Sequence, residues 1–216
     1  MNILIMGPAG AGKGTMSDLI IKSYDIPHIS TGDMLRENVR NNTELGQQAR
    51  AYMDAGKLVP DELINAMVEK RLLEQDCQKG YLLDGFPRTL VQAKAFEEMA
   101  ERIGKPVESV LALEVGFETL KDRITGRRVC PKCGAIYHVV NHPSQTEGIC
   151  DSCGNELQQR RDDTVEQLKV RMDEYEAKTK PIIDYFEPKG VVTHIDASQN
   201  QDATFTQVKE ALGKVA

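Results

Sequence analysis

A glycine-rich loop between an apolar strand and a helix limits the possible folds and functions of this chain more than any other segment does. The loop reads GPAGAGKGT over residues 7–15, after the apolar residues 2–6. Glycines let several backbone N–H groups turn toward one anion, and the N-terminus of the next helix adds partial positive charge. Lys13 can then reach the outer phosphates of a nucleotide. The pattern predicts a phosphate-binding loop.

Two other interpretations explain the loop less well. A plain glycine-rich turn with a surface lysine does not account for a strand before the loop and a helix after it. A dinucleotide-binding loop requires a third glycine where Thr15 stands. Gly14 separates Lys13 from Thr15, whereas Ser or Thr usually follows the lysine directly. This spacing is typical of a particular subgroup of phosphate-loop proteins.

Apolar runs alternate with helical periodicity along the rest of the chain. Strands or extended segments are predicted at 2–6, 26–30, 81–84, 109–115 and 191–195. Helices are predicted at 15–24, 33–41, 60–74, 89–103, 117–127, 163–186 and 203–214. This alternation predicts an α/β fold, with a parallel sheet covered by helices on both faces.

Four of the five cysteines occur in two CxxC pairs inside a segment that breaks this alternation, residues 128–159. The pairs are Cys130 with Cys133 and Cys150 with Cys153, each followed by glycine. Two such pairs can place four thiolates around one ion, with zinc the first choice and iron an alternative. Four protein ligands leave no open position, so the metal is expected to be structural. His138 and His142 are interpreted as surface residues of this segment.

Composition restricts the partners of the chain. The net charge is -6 and the isoelectric point about 5.3, whereas proteins that bind nucleic acid non-specifically are usually basic. No apolar run approaches the roughly 20 residues of a membrane span, and the start does not resemble a secretory signal. We therefore expect a cytoplasmic protein without a membrane or nucleic-acid partner. The lack of an apolar surface stripe in the sequence favours a monomer.

Five stretches in order carry a resemblance to a known family. They are GPAGAGKGT at 7–15, STGDMLR at 30–36, GKLVPD at 56–61, DGFPR at 84–88 and RRDD at 160–163. Together they resemble adenylate kinases of the long bacterial type, which carry a zinc-binding lid. Two positions depart from the family pattern: the loop proline, Pro8, comes one residue early, and Met16 replaces the usual glutamine. We expect these changes to retune ATP affinity without abolishing the site.

The resemblance implies a P-loop NTPase-type sheet with a helical insertion for the nucleoside monophosphate and a small zinc-ribbon lid. The core would comprise 1–29, 60–127 and 160–216, the monophosphate-binding segment 30–59 and the lid 128–159. The implied reaction is Mg²⁺-dependent transfer of the γ-phosphoryl group of ATP to AMP, giving two ADP.

The resemblance also assigns residues to roles. Catalysis would involve Lys13, Asp84, Arg88, Arg123, Arg127, Arg160 and Arg171, with the last four arriving from the lid side. ATP would contact Gly10, Ala11, Gly12, Lys13, Gly14, Thr15, Arg127, Ile136, Tyr137 and the backbone of Gln199. AMP would contact Thr31, Arg36, Lys57, Leu58, Val59, Gly85, Phe86, Pro87, Arg88, Gln92, Arg160 and Arg171.

The carboxylates of the motifs have expected roles beside these cations. Asp84 follows an apolar strand beside the loop, which suits holding Mg²⁺ through water. Asp162 and Asp163 are expected to orient arginines, with capping of the next helix as the alternative.

Two other functions remain open from the sequence. A related kinase could use a different nucleoside monophosphate, although Thr31 favours adenine because pyrimidine-directed relatives tend to carry alanine there. A zinc-ribbon module could bind nucleic acid, but the acidic charge and the 5% content of aromatic residues argue against it.

Overall fold

The computed structural model describes residues 1–213, so residue 214 of the last predicted helix and residues 214–216 of the core segment lie outside the described residues. The strands are β1 Asn2–Met6, β2 His28–Ser30, β3 Tyr81–Asp84, β4 Ser109–Glu114, β5 Arg127–Val129, β6 Ile136–His138 and β7 Val192–Asp196. The α-helices are α1 Lys13–Tyr24, α2 Thr31–Arg40, α3 Glu44–Asp54, α4 Asp61–Leu72, α5 Leu90–Arg102, α6 Phe117–Gly126, α7 Val165–Glu174, α8 Lys180–Phe186 and α9 Gln201–Leu212. Short 3-10 helices cover Gln75–Lys79 and Glu187–Lys189, and a π-helical turn covers Tyr175–Thr179.

The main sheet has five parallel strands in the order β2-β3-β1-β4-β7. Ile5 of β1 lies opposite Asp84 of β3, so the loop after β1 and the end of β3 open at the same edge of the sheet. Ligands of parallel α/β sheets bind at this carboxyl edge. The predicted α/β fold is confirmed.

Successive side chains of β1 enter two separate hydrophobic cores. Ile3 and Ile5 pack with residues of α1, α6 and α9. Leu4 and Met6 pack with residues of α4, α5 and α8 on the other face. All four side chains are at most 3% exposed. The period of two in a strand therefore explains why the sheet is covered on both faces.

Helix α3 was not predicted from the sequence. Thr43 caps it, since its Oγ1 accepts a hydrogen bond from the N–H of Gly46 at 3.1 Å. Gly46 and Ala49 are the residues that this helix buries, and a Cβ on Gly46 would collide with the backbone of Asn38 at the end of α2. The close contact between α2 and α3 thus depends on small residues. For this reason the sequence of α3 lacks the periodic large apolar residues that predict a helix.

The predicted long helix over 163–186 is confirmed as an unbroken helical run from Val165 to Phe186, but its hydrogen-bond pattern changes within the run. Helix α7 begins at Val165, where Thr164 Oγ1 accepts from the N–H of Gln167 at 3.2 Å. The π-helical turn then separates α7 from α8. Pro181 has no N–H, and its ring opposes the carbonyl of the residue four places earlier, so the regular ladder cannot run through it.

The cysteine-bearing segment contains two strands that were not predicted. Strands β5 and β6 pair antiparallel, with Arg127 opposite His138. Val129 and Gln158 exchange backbone hydrogen bonds of 2.8 and 2.9 Å, which join the two ends of the segment. Within residues 1–213, every helix is too short or too polar to cross a membrane.

Candidate active site

The loop after β1 is built to present backbone N–H groups. Gly7, Gly10 and Gly12 have φ angles of 147°, 86° and 96°, which residues other than glycine rarely adopt. A Cβ on Gly7 would lie 2.8 Å from the carbonyl oxygen of Leu113. Helix α1 begins at Lys13, and the first N–H groups of a helix have no intrahelical partner. The loop can therefore receive an anion.

Lys13 folds back over this loop. Its Nζ donates to the carbonyl oxygens of Gly7 at 2.8 Å and Pro8 at 2.9 Å. Burial lowers the pKa of Lys13 to about 8, although the charge of Asp84 opposes this shift. The carbonyl of Pro8 also accepts from the N–H of Ala11 at 3.2 Å, so the displaced proline still supplies a useful acceptor.

Asp84 lies buried at the end of β3, with its Oδ2 3.5 Å from His28 Nε2. Burial alone would raise the pKa of Asp84. The neighbouring His28 imidazole and the charge of Lys13 outweigh burial, and the pKa lies below its ordinary value. Asp84 is therefore an ionised carboxylate beside the phosphate loop, as a water-mediated cation site requires.

Four of the six arginines assigned from the sequence line one cleft of about 800 Å³: Arg36, Arg88, Arg160 and Arg171. Lys13 lines the same cleft. Burial and the charge of Arg171 lower the pKa of Arg88 to about 10. Burial and the charge of Arg36 lower the pKa of Arg160 to about 10. The cations repel one another, so bound anions would stabilise this arrangement.

The remaining two arginines bind protein groups near the cleft. Arg123 donates through Nη2 to the carbonyl of Ala197 at 2.9 Å and through Nη1 to that of Ala11 at 3.3 Å. It extends from helix α6, and Arg171 extends from helix α7, which corrects the expectation that these two arginines arrive from the lid side. Arg127 pairs with the buried carboxylate of Asp163, with a distance of 2.8 Å from its Nε.

The two aspartates after Arg160 orient arginines, as expected. Asp162 Oδ2 lies 2.9 Å from Arg171 Nη1, and Asp163 holds Arg127. The alternative that either aspartate caps the next helix is wrong, because Thr164 caps α7.

The residues assigned to the acceptor base lie together. The cleft is lined by Thr31, Lys57, Leu58, Val59, Gly85, Phe86, Pro87, Arg88 and Gln92. Thr31 Oγ1 donates to the carbonyl of Gly85 at 2.7 Å, and its oxygen can still accept. The amide of Gln92 keeps one N–H and one lone pair beyond its two protein contacts at 2.7 and 2.8 Å.

The four paired cysteines form one cluster, with all four Sγ atoms within 4.8 Å of one another. The Sγ atoms of Cys130 and Cys153 are 3.4 Å apart, and those of Cys133 and Cys150 are 3.5 Å apart. A tetrahedron with metal–sulfur bonds of about 2.3 Å has sulfur atoms roughly 3.8 Å apart. The cluster can therefore hold a metal ion.

The two histidines between the cysteine pairs lie outside this cluster. His138 Nε2 lies 3.0 Å from the carbonyl oxygen of Asp122, and His142 stacks on Tyr137.

Comparison with known proteins decides the family. The sequence model described as adenylate kinase matches residues 5–191. Adenylate kinases of Caldanaerobacter subterraneus subsp. tengcongensis and Carboxydothermus hydrogenoformans are each 50% identical, over 98% and 99% of this chain and 96% and 100% of theirs. That of Methanosarcina acetivorans is 48% identical over the full length of both chains. The chain belongs to the adenylate kinase family.

The residues assigned to ATP in this adenylate kinase lie around the phosphate loop and the lid. Ile136 Cδ1 lies 3.6 Å from the position that a Cβ on Gly14 would take, so Ile136 covers the start of α1. The carbonyl of Gln199 lies 3.4 Å from Arg123 Nη2. Tyr137 is 6% exposed, and its hydroxyl accepts from the N–H of Asp151 at 2.9 Å. Its ring therefore packs inside the lid.

The apolar residues of the cleft that were not identified from the sequence include Leu35, Met53 and Ile64. Leu35 lies inside the STGDMLR stretch, whose match to the family could have drawn attention to it. Met53 belongs to the unpredicted helix α3, so no periodic signal pointed to it.

The shifted pKa of Lys13 predicts a pH dependence. Its ammonium loses a proton as the pH rises through about 8, so kcat/KM for ATP should fall above pH 8. The folded pKa lies below the ordinary value of 10.5, so the unfolded chain binds more protons between these values. The contribution of Lys13 to stability should therefore rise from pH 8 to 10.5 while ATP use declines.

Initial rates and melting temperatures between pH 7 and 10 measure both effects. In a Lys13→Arg control the decline near pH 8 should vanish, whatever its absolute rate, because guanidinium stays charged. A flat kcat/KM profile to pH 10 in the unmodified enzyme would contradict the prediction.

Proposed function

We propose that this adenylate kinase catalyses reversible phosphoryl transfer from ATP to AMP, giving two ADP and keeping adenine nucleotides in balance. Relatives called adenylate kinase share about half of its residues over the whole chain, and this observation carries the proposal. The phosphate loop and the cluster of arginines in one cleft agree with it, since two polyphosphate substrates require many fixed cations.

In the proposed mechanism the protein positions the substrates and neutralises charge. Lys13 and the N–H groups of the loop hold the phosphates of ATP, while Arg36 and Arg88 hold the phosphate of AMP. Arg123, Arg127, Arg160 and Arg171 surround the transferred group. No general base is needed, because the phosphate of AMP is already an anionic nucleophile.

Magnesium is the ion that adenylate kinases use with ATP, and Asp84 is the residue that we assign to it. The ionised carboxylate of Asp84 would hold it through water, and Thr15 would help to orient its ligands. When bound, the ion neutralises charge on the phosphates.

The base sites follow from the same reasoning. AMP would lie against Thr31, Gln92 and the backbone of Lys57, Leu58, Val59 and Gly85, beside Phe86 and Pro87. The ATP phosphates would lie against Gly10, Ala11, Gly12, Gly14 and Thr15, and its base near Ile136, Tyr137 and Gln199. The positions of the AMP residues around one cleft and of the phosphate residues around one loop support these assignments. Ile136 lies beside Gly14, and Gln199 lies beside Arg123.

We divide the chain into a core of 1–29, 60–127 and 160–216, a monophosphate-binding segment of 30–59 and a lid of 128–159. The packing of α2 against α3 supports the second unit, and the joined ends of the lid support the third.

The ion proposed for the lid is a structural Zn²⁺, with iron as the alternative. Four thiolates without an open position favour structural zinc. The acidic charge argues against a nucleic-acid partner, and the sequence contains neither a long apolar run nor an apolar surface stripe. On these grounds we propose a cytoplasmic monomer without a nucleic-acid partner.

A coupled assay that compares AMP, UMP, CMP and GMP as acceptors tests the proposed function. We expect AMP to give the highest kcat/KM by at least tenfold, since the acceptor site pairs hydrogen-bonding groups with one base edge. A higher kcat/KM with another monophosphate would reassign the substrate.

A further inference from the structure

A chain of partly buried hydrogen bonds fixes the side-chain amide of Gln92. Its Oε1 accepts from the backbone N–H of Arg88 at 2.7 Å, and its Nε2 donates to Asp61 Oδ1 at 2.8 Å. The other oxygen of Asp61 accepts from Thr89 Oγ1 at 3.0 Å. Thr89 Oγ1 itself accepts from the backbone N–H of Gln92 at 3.1 Å. Gln92 is 2% exposed and lines the cleft.

These partners allow only one direction of the amide. The oxygen and nitrogen of a glutamine amide have nearly the same shape, so packing alone would permit either direction. A backbone N–H can only donate, and an ionised carboxylate can only accept. Reversing the amide of Gln92 would place its NH₂ against the N–H of Arg88 and its oxygen against Asp61. Both contacts would be repulsive and would leave buried polar groups unpaired.

Thr89 keeps Asp61 in place as an acceptor. The oxygen of Thr89 already receives the N–H of Gln92, so its own proton is directed to Asp61. Asp61 lies in the first turn of α4, whereas Thr89 caps α5. The carboxylate therefore links α4 to α5. It contacts the NH₂ end of the Gln92 amide, whereas the N–H of Arg88 contacts the oxygen end.

The fixed amide presents one remaining donor on Nε2 and one remaining acceptor on Oε1. Adenine offers the matching pattern, an acceptor at N1 beside a donor at its 6-amino group. Hypoxanthine and guanine reverse it, with a donor at N1 beside an acceptor at O6. We propose that Asp61 is a positioning residue that gives the acceptor site its preference for AMP over 6-oxopurine monophosphates. This inference rests on the proposed function, in which Gln92 faces the acceptor base.

The Asp61→Asn variant tests the inference with the side-chain shape preserved. Asparagine has one acceptor oxygen for the two donors Thr89 Oγ1 and Gln92 Nε2, so only the N–H of Arg88 then opposes the reversed Gln92 amide. We expect the ratio of kcat/KM for AMP to kcat/KM for IMP to fall at least tenfold. The change should appear mainly as a higher KM for AMP, with kcat for AMP within about threefold of the unmodified enzyme.

Glu62→Gln is the matched control. Glu62 is exposed, lies in the same first turn of α4, and takes no part in these hydrogen bonds. The variant loses the same charge and should keep the original ratio and KM. Asp61→Ala removes the acceptor altogether and should lower the ratio in the same direction as Asp61→Asn.

An unchanged ratio in Asp61→Asn would overturn the inference, as would an equal loss of kcat with AMP and IMP. Should neither Asp61 variant fold, exchange of the Gln92 side-chain amide protons in the unmodified protein decides the question. Their resonances are assigned by absence from Gln92→Leu; slow exchange supports the inference and fast exchange overturns it. Unmodified enzyme that fails to phosphorylate AMP would instead refute the proposed function.

Discussion

The Arg88→Ala variant is expected to lose about 10³-fold in kcat and to keep a melting temperature close to that of the unmodified enzyme. Arg88 Nε donates to the carbonyl of Gly85 at 2.6 Å, which directs a planar cation into the cleft. A guanidinium binds two phosphate oxygens at once, and its loss removes charge that stabilises the transition state. Stability should survive, because burial and the charge of Arg171 already disfavour the charged form of Arg88.

Two variants separate this effect from a general loss of charge or of surface contacts. Arg88→Lys keeps the charge without the planar fork, so its kcat should lie between those of alanine and arginine. Arg102→Ala removes an exposed arginine that pairs with Glu69, and its kcat should be unchanged because surface ion pairs contribute little. Steady-state rates with AMP and ATP provide the measurement. A kcat for Arg88→Ala within tenfold of the original would contradict the role given to Arg88.

Removing the lid metal is expected to lower the melting temperature by roughly 10 °C. Without an ion, four sulfur atoms within 4.8 Å of one another would lose their common partner. The lid has a small apolar cluster around Cys130, Cys150 and Tyr137, and this cluster alone can hold little structure. A metal ion held by the four cysteines would therefore supply folding free energy to the segment.

Calorimetry before and after chelation measures the effect, together with the metal content by elemental analysis. Adding Zn²⁺ back should restore the melting temperature, and Cys150→Ser should reproduce the loss. Cys77→Ser is the control for metal content, because Cys77 lies outside the cluster. A melting temperature unaffected by complete metal removal would refute a stabilising role. Immediate loss of activity in folded, metal-free enzyme would refute a purely structural one.

Local patterns predicted the parts of the fold that depend on neighbouring residues. The strand, loop and helix around Gly7 and Lys13 are contiguous in sequence, and the CxxC pairs imply their own geometry. Helix α3 was missed because Gly46 and Ala49 pack closely without large apolar side chains. The contact of Asp61 with Gln92 joins residues 31 positions apart, so no local pattern could reveal it.

The π-helical turn contains one extra residue. This residue sets the relative direction of the side chains that lie before and after the turn on the same helix. Arg171 on α7 lines the cleft, and Thr179 at the end of the turn donates to the carbonyl of Arg88 at 2.9 Å. Each residue of a helix adds about 100° of rotation. Deleting one residue between these side chains would turn one of them away from the cleft even if every remaining residue were conserved. The length of this segment is thus as much a part of the site as its chemistry.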